Sequence, residues 1–335
     1  MERWVSSDLL HFKVQLILTL EYLPEESYQA WDDFVDESPQ QTIYGKTWYL
    51  LALQCPFTIL TVKQREEIIG GIILTKNSRN QYANPLLVKY LGVYFTRFEG
   101  TAYNQESKRR AIIKLLMVEL RKLTSFDYFF HPSFSSYLPF HSYFDNRVRY
   151  SYWINLHNQS LEEIYGGFHG KLKSELRLAE KEGYHLKHAL DFELFFSIIK
   201  KTFVQKGHRF PFIKESLASY FQKLSEREAF QTIGVIDQKG NTMAVVGLLF
   251  EPSVTTLILS GFDQETIQRG ANELLIYECL KLAKLQSQYF DFEGSMRPNV
   301  ESFYRKFGGT FVPYLNIYKE DFGSLLKRVL GTVRK

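Results

Sequence analysis

The sequence predicts a mixed α/β protein in which one arrangement of strands and helices occurs twice. The clearest stretch is 256–295, where an apolar strand is followed by a polar loop, an amphipathic helix and a second strand. The order strand, two helices, three strands, helix, strand, helix, strand can be assigned to both halves. A chain of 335 residues is also long enough for two domains of ordinary size.

Hydrophobic periodicity assigns the elements of the first half. We expect strands at 14–20, 57–62, 68–74, 91–95, 126–130 and 148–156, and helices at 24–38, 47–53, 105–123 and 133–144. The strands 57–62 and 68–74 are predicted to form a hairpin.

The second half begins with an additional helix, 161–183, which we expect to be interrupted at Gly166–Gly167. We expect strands at 184–190, 232–237, 243–250, 256–262, 289–293 and 311–318, and helices at 192–205, 214–225, 271–288 and 299–307. The polar segment 155–160 predicts a boundary between domains 1–156 and 157–320. A basic amphipathic tail, 321–335, is expected to pack on the first domain or to contact anionic lipid.

Composition restricts the class of protein. A net charge of +4 permits an anionic ligand but does not indicate a DNA-binding protein. The two cysteines, Cys55 and Cys279, form no disulfide or CxxC pattern, and no secretory or membrane-spanning segment is recognisable. We therefore expect a cytoplasmic protein. The eight histidines do not cluster with carboxylates or cysteines, so no metal site is predicted.

Five segments carry a family resemblance. They are ANELLIYECLKLAK (271–284), FDFEGS (290–295), FYRKFGG (303–309), LKSELRLAEKEG (172–183) and NPLLVKYLGVYF (84–95). The first four resemble the carboxy-terminal half of the FemAB-like and BioF2-like branch of the GNAT acyltransferases, and the fifth is similar to a segment of bacterial double-GNAT proteins. The resemblance implies two tandem GNAT-like domains with the acyl-CoA N-acyltransferase fold.

The same resemblance implies a donor site at the loop before the predicted helix 271–288. In GNAT enzymes, the pyrophosphate of acyl-CoA lies on a Gln/Arg-x-x-Gly-x-Gly/Ala loop. Here Gly270 is present, but Ile267 and Asn272 depart from the pattern. A helix start, a glycine and an arginine nevertheless suit a phosphate, which makes Arg269, Gly270, Ala271 and Asn272 the candidate residues for acyl-CoA. The alternative is an ordinary helix start capped by Asn272.

Gly261 and Phe262 end the strand that leads into this loop. In GNAT folds this strand separates from its neighbour and exposes backbone N–H groups that bind the donor and the oxyanion. We expect a bulge at Gly261, which a glycine allows. The alternative is an ordinary strand end.

Asp291, Glu293 and Ser295 alternate with smaller or apolar residues and should share one face of a strand. Glu293 is the candidate general base that deprotonates an acceptor ammonium, and Asp291 and Ser295 are candidates for substrate binding. The alternative is a structural ion pair between this acidic group and Arg297 or Arg305.

Tyr304 and Arg305 precede the Phe-Gly-Gly turn. The resemblance makes Tyr304 the candidate acid that protonates a leaving thiolate, and Arg305 a candidate for substrate binding. Aminoacyl-tRNA-dependent Fem transferases have a lysine where this chain has Tyr304, so aminoacyl-tRNA is the less favoured donor.

The sequence thus predicts a transferase that moves an acyl or aminoacyl group from a thioester such as acyl-CoA, or from an aminoacyl donor, to a small-molecule amine. A cell-envelope or polysaccharide precursor would supply such an amine. The alternative is a non-catalytic binding module that has kept the fold and lost donor chemistry, as the departures at Ile267 and Asn272 suggest.

Overall fold

A computed structural model describes residues 18–77, 79–294 and 296–319. The helices in this part of the chain are α1 (Tyr28–Glu37), α2 (Thr47–Ala52), α3 (Ala102–Leu120), α4 (Leu161–Gly166), α5 (Gly170–Lys181), α6 (Phe192–Gln205), α7 (Lys214–Ser225), α8 (Ala271–Gln286) and α9 (Pro298–Arg305). The strands are β1 (Leu18–Tyr22), β2 (Phe57–Gln64), β3 (Glu67–Thr75), β4 (Val93–Phe95), β5 (Phe126–Phe129), β6 (Asp145–Asn155), β7 (His185–His188), β8 (Phe230–Ile236), β9 (Thr242–Phe250), β10 (Val254–Phe262), β11 (Tyr289–Asp291) and β12 (Thr310–Lys319).

The strands form two sheets. The first has four antiparallel strands in the order β1-β2-β3-β4, and the second has eight in the order β5-β12-β6-β11-β10-β9-β8-β7. Successive residues of β9 face opposite sides of the larger sheet, so Val245 and Leu249 pack with α6 while Val246 and Leu248 pack with α8. The larger sheet is therefore covered by helices on both faces.

The last strand of each half is exchanged with the other half. β6 lies between β12 and β11, and β12 lies between β5 and β6. The two exchanged strands pair with each other antiparallel over nine residues, from Thr310 with Trp153 to Tyr318 with Asp145. Residues from both halves consequently surround the centre of the larger sheet.

β10 and β11 separate after a short parallel contact. They pair only from Val254–Thr256 to Tyr289–Asp291, whereas β10 continues along β9 as far as Phe262. The pairing of β10 with β9 shifts register between Leu257 and Leu259. An opening therefore forms between β10 and the chain that follows β11.

Most sequence predictions of the elements are confirmed, and the interruption of helix 161–183 lies at the expected position between α4 and α5. The helix predicted at 133–144 is wrong, because only Leu138–Phe140 forms a 3-10 turn. Phe134, Phe140 and Phe144 instead pack in the core, and Pro139 interrupts the segment. Residues 14–17 of the first predicted strand and the tail 321–335 lie outside the described residues.

The strand predicted at 289–293 is also too long. It ends at Asp291, because the following chain turns through two left-handed residues, Glu293 at φ 61° and Gly294 at φ 66°. A Cβ atom on Gly294 would collide with the Tyr150 carbonyl oxygen. Glycine is therefore required where the chain leaves the sheet.

Candidate active site

A cavity of about 280 Å³ occupies the opening between β10 and the chain after β11. Its walls include Lys206, Ser260, Glu293, Gly294, Arg297 and Tyr304. Glu293 and Tyr304, the predicted base and acid, thus face the same cavity although eleven residues separate them in sequence.

The environment of Glu293 favours a neutral carboxyl group. Burial raises its pKa to about 8; the positive charge of Lys89 opposes this rise, and the negative charge of Asp291 adds to it. The backbone N–H of Glu293 donates a hydrogen bond of 2.7 Å to Oδ1 of Asp291, which supports its left-handed backbone. A carboxyl group with such a pKa can exchange a proton with an amine near neutral pH.

Asp291 lies beneath the cavity and is only 1% exposed. Lys89 Nζ lies 3.3 Å from its Oδ2, the hydroxyl of Tyr90 donates to the same oxygen at 3.4 Å, and the hydroxyl of Ser151 donates to Oδ1. The ion-pair partner of Asp291 is therefore Lys89. Asp291 therefore holds the backbone of Glu293 in place through the hydrogen bond from the Glu293 N–H.

Lys89 was missed by sequence reasoning. It comes from the segment before β4, 202 residues away from Asp291, and it is 6% exposed. Burial lowers its pKa, whereas Asp291 and Glu293 raise it. The available signal was a single lysine within the apolar run LLVKYLGVYF, because a buried ammonium group needs a charged partner.

Tyr304 lies on α9 and packs its ring against Phe292, with 4.6 Å between the ring centroids. Burial, followed by the negative charges of Glu293 and Asp291, raises the pKa of its phenol well above the usual value. The phenol is therefore protonated at neutral pH and can donate a proton or a hydrogen bond.

Of the other two predicted substrate residues, the structure describes only Arg305, which is not among the residues that line this cavity. Arg305 is exposed on α9 and pairs with Glu301, at 3.4 Å between Nε and Oε1. Glu301 also accepts a hydrogen bond from the hydroxyl of Tyr152. Ser295 lies outside the described residues.

Gly261 and Phe262 remain part of the sheet. They pair with Val245 and Ala244, and the N–H of Phe262 donates to Oγ1 of Thr202 at 2.9 Å. The expected bulge at Gly261 is therefore wrong. The irregularity lies at Leu257–Leu259, where the backbone borders the cavity.

The predicted donor loop leads into α8, and its arginine is already paired with a carboxylate of α5. Gly270, at φ 83°, precedes the helix, and a Cβ atom there would lie 2.5 Å from the Glu175 carbonyl oxygen. Arg269 is exposed and pairs with Glu175, at 2.9 Å between Nη2 and Oε1. Ala271 is fully buried, and Asn272 makes no capping hydrogen bond, so the expected cap is wrong.

Three basic side chains border the opposite side of the cavity. Lys206, His208 and Arg297 all line it, and Arg297 Nη2 lies 3.4 Å from Nε2 of His208. Partial desolvation and the charge of Arg297 lower the pKa of Lys206. The positive charges of Lys206 and Arg297 favour a ligand that carries a negative charge.

One known protein family matches the part of the chain that lines most of this cavity. Residues 167–299 match the family described as an acetyltransferase (GNAT) domain. No curated protein sequence gives a significant match. The matched segment contains the donor loop, β10, β11 and Glu293.

Solved structures resemble nearly the whole chain. FemX aligns with a TM-score of 0.61 at 14% identity, over 92% of this chain and 99% of FemX. L-PGS from Bacillus licheniformis aligns with a TM-score of 0.56 at 13% identity, over 93% and 97% of the two chains. A tandem GNAT protein from the clavulanic acid biosynthesis pathway aligns with a TM-score of 0.53 at 10% identity, over 90% and 98%.

Membrane-spanning helices and metal sites can be assessed for the described residues alone. None of the helices in ranges 18–77, 79–294 and 296–319 is long and apolar enough to cross a bilayer. The same ranges contain no group of three or more His, Cys, Asp or Glu side chains arranged to hold a metal ion. The match of residues 167–299 to a GNAT domain and the likeness to FemX and to the tandem GNAT protein together show that this chain has the GNAT fold.

Proposed function

We propose that the chain transfers an acyl or aminoacyl group to an amine in the cavity between β10 and the chain after β11. One observation carries this proposal: Glu293, with a pKa of about 8, and the protonated phenol of Tyr304 face one cavity, which apart from Tyr304 is lined by the segment that matches a GNAT domain. These are the two groups that amine acylation needs, one to accept a proton and one to donate it.

In the proposed reaction, the Glu293 carboxylate takes a proton from the acceptor ammonium. The freed nitrogen lone pair bonds to the donor carbonyl carbon, and the carbonyl π electrons move to oxygen. Backbone N–H groups of 257–260 are our candidates for holding this oxyanion, because β10 has lost its β11 partner there. The tetrahedral intermediate then breaks its C–S or C–O bond. Tyr304 protonates the leaving group and recovers a proton from the new amide nitrogen.

The basic residues Lys206, His208 and Arg297 support an acceptor or donor with a negatively charged group next to the reacting centre. Acyl-CoA is our first donor candidate, and aminoacyl-tRNA is the second. An amine of a cell-envelope or polysaccharide precursor is our candidate acceptor. We also propose that residues 1–156 shape the acceptor side and residues 157–320 perform the chemistry. Two free cysteines are consistent with a cytoplasmic location.

Thermal unfolding with a donor panel tests the proposal. We would compare CoA, acetyl-CoA, a long-chain acyl-CoA and aminoacyl-tRNA, and expect a Tm increase with at least one donor, because a ligand at 100 times its Kd stabilises by about 2.7 kcal/mol. Ser260→Trp, which fills the cavity wall, should abolish this increase. Ser107→Trp, at an exposed serine of the first-half helix α3, makes the same change outside the cavity and should retain it.

A non-catalytic binding module is the second candidate. The observation that favours it is the pairing of Arg269 with Glu175, which leaves a carboxylate beside the place where a pyrophosphate would lie. Under this alternative, no donor changes the Tm of the wild type or of the two variants. Stabilisation by an amine acceptor alone, lost in Ser260→Trp, would favour the binding module over the transferase.

A further inference from the structure

A second cavity, separate from the one that contains Glu293, lies where the two halves of the chain meet. It has a volume of about 320 Å³ and takes its walls from Thr42, Ile43 and Trp48 of the first half and Arg227, Phe250 and Glu251 of the second. It borders the start of β10, whereas the Glu293 cavity borders residues 257–260 of the same strand. No step proposed above uses it.

Glu251 brings a buried polar atom with an unused bonding capacity to this cavity. The residue is 9% exposed, and its Oε2 accepts a hydrogen bond from the N–H of Ile43 at 2.5 Å. Its Oε1 is buried and has no hydrogen-bond partner in the described part of the chain. A buried carboxyl oxygen without a hydrogen-bond partner destabilises the folded state. A ligand that donates a hydrogen bond to this oxygen would remove the destabilisation.

The second polar feature of this cavity is the positively charged guanidinium group of Arg227. Arg227 is exposed, and its Cζ lies 4.5 Å from the centre of the Trp48 ring. It forms no ion pair with the residues that the structure describes, whereas the other basic residue of the cavity, Lys46, is already paired with Asp36. Arg227 is therefore able to bind a carboxylate while it stays stacked on Trp48.

The remaining wall, between the Glu251 carboxyl group and the Arg227 guanidinium group, is largely apolar. Ala229, Phe250 and Pro252 supply it, together with the ring of Trp48. A ligand that complements all three features has an amine for Glu251, a carboxylate for Arg227 and a small aliphatic body. We propose that this cavity binds a small zwitterion of this kind, for which a free aliphatic amino acid is the simplest example. The inference does not depend on the proposed transferase activity.

Calorimetric titration of the full chain with L-leucine tests the proposal. Two analogues serve as matched controls: 3-methylbutylamine lacks the carboxylate of leucine, and 4-methylpentanoate lacks its amine. We expect L-leucine, or L-alanine or L-valine in the same series, to bind at least tenfold more tightly than an analogue that lacks either charge. A tenfold change corresponds to about 1.4 kcal/mol.

Two variants assign the binding to this cavity. Arg227→Met and Glu251→Gln should each weaken amino-acid binding at least tenfold, while Arg209→Met, at an exposed arginine outside the cavity, should not. Arg227 is exposed, so Arg227→Met remains informative if Glu251→Gln does not fold. Absence of binding by all three amino acids, equal binding of 3-methylbutylamine, or unchanged binding in Arg227→Met would each overturn the proposal. Because acyl donors are absent from this experiment, its outcome is independent of the donor panel.

Discussion

The two halves of the chain share the order strand, two helices, three strands, helix, strand and final strand, but they differ at the place where their central strands separate. In the first half, the rings of Phe130, Phe134 and Phe140 follow β5 and fill the space, with centroids of Phe130 and Phe134 only 4.7 Å apart. In the second half, Glu293 and Gly294 follow β11 and turn away, which leaves a cavity. The segment after the fifth strand therefore packs aromatic rings together in the first half and borders a cavity in the second.

The carboxylates on the two equivalent strands differ in the same way. Asp127 of β5 is exposed and accepts a hydrogen bond from the side chain of Asn316 at 2.7 Å. Asp291 of β11 is buried, and it binds Lys89 of the other half and the N–H of Glu293. Among the described residues, the strand carboxylate of the second half thus has a buried cation as its partner, whereas that of the first half has a neutral amide.

The largest expected effect is on turnover. Once an acceptor is found, Glu293→Gln should lower kcat about 10²- to 10⁴-fold, because the variant cannot accept the ammonium proton. Asp127→Asn in the first half is the matched control and should leave kcat within about twofold, as its partner is a structural amide and surface changes of this kind are small. Unchanged turnover in Glu293→Gln would remove it from the mechanism.

The second effect is on stability. Lys89→Met should lower the free energy of unfolding by about 3–5 kcal/mol, because it leaves the Asp291 carboxylate buried without its cation. Lys122→Met removes an exposed ion pair with Glu119 and should cost no more than about 1 kcal/mol. Urea denaturation measures both.

The double variant Lys89→Met with Asp291→Asn checks the cause. It should recover part of the loss, since neither charge is then buried alone. Equal losses in the single and double variants would mean that packing around Lys89, rather than its charge, accounts for the effect.

A smaller effect concerns the turn after β11. Gly294→Ala should destabilise by about 1–3 kcal/mol, from a left-handed backbone and a Cβ contact with the Tyr150 carbonyl. Gly207→Ala is the control, because Gly207 has φ 72° and open space where a Cβ atom would lie. The difference between the two variants isolates the close contact; equal losses would show that backbone strain alone is responsible.

The smallest expected effect is on the pH dependence of stability. A glutamate has a pKa of about 4.3 when unfolded, and that of Glu293 is about 8 in the folded chain. Between these values the folded state binds the extra proton, so this group makes stability fall as pH rises towards 8. Tm should therefore fall less from pH 6 to 9 in Glu293→Gln than in the wild type. Identical slopes would contradict the raised pKa.

Burial of Glu251 raises its pKa to about 8 as well, so part of the slope should persist in Glu293→Gln. The variant Glu293→Gln with Glu251→Gln should lose more of it, because both carboxyl groups contribute with the same sign.

Sequence patterns were sufficient for most of the fold, because amphipathic helices such as α6 and α7 and the β2–β3 hairpin have strong local periodicity. They failed at 133–144, where packing of aromatic rings outweighs helical spacing. The strand exchange between β6 and β12 has no local signal, since it depends on which strand ends meet in space.

The candidate site was only partly predictable for the same reason. Glu293 and Tyr304 could be selected because they lie near each other in sequence and in a recognisable motif. Lys89 could not be assigned to Asp291, since the pairing joins the two halves across 202 residues. The pairing of Arg269 with Glu175 likewise depends on how α5 packs on α8.

The pH dependence of kcat/KM tests the central claim, that Glu293 in the open cleft of the second half is the base. In the wild type, kcat/KM should rise with pH through an apparent pKa near 8, because the base must be ionised to accept a proton. In Glu293→Gln the residual rate should lose this step, while any step from the acceptor amine itself should remain. A step near pH 8 that is identical in both proteins would contradict the account.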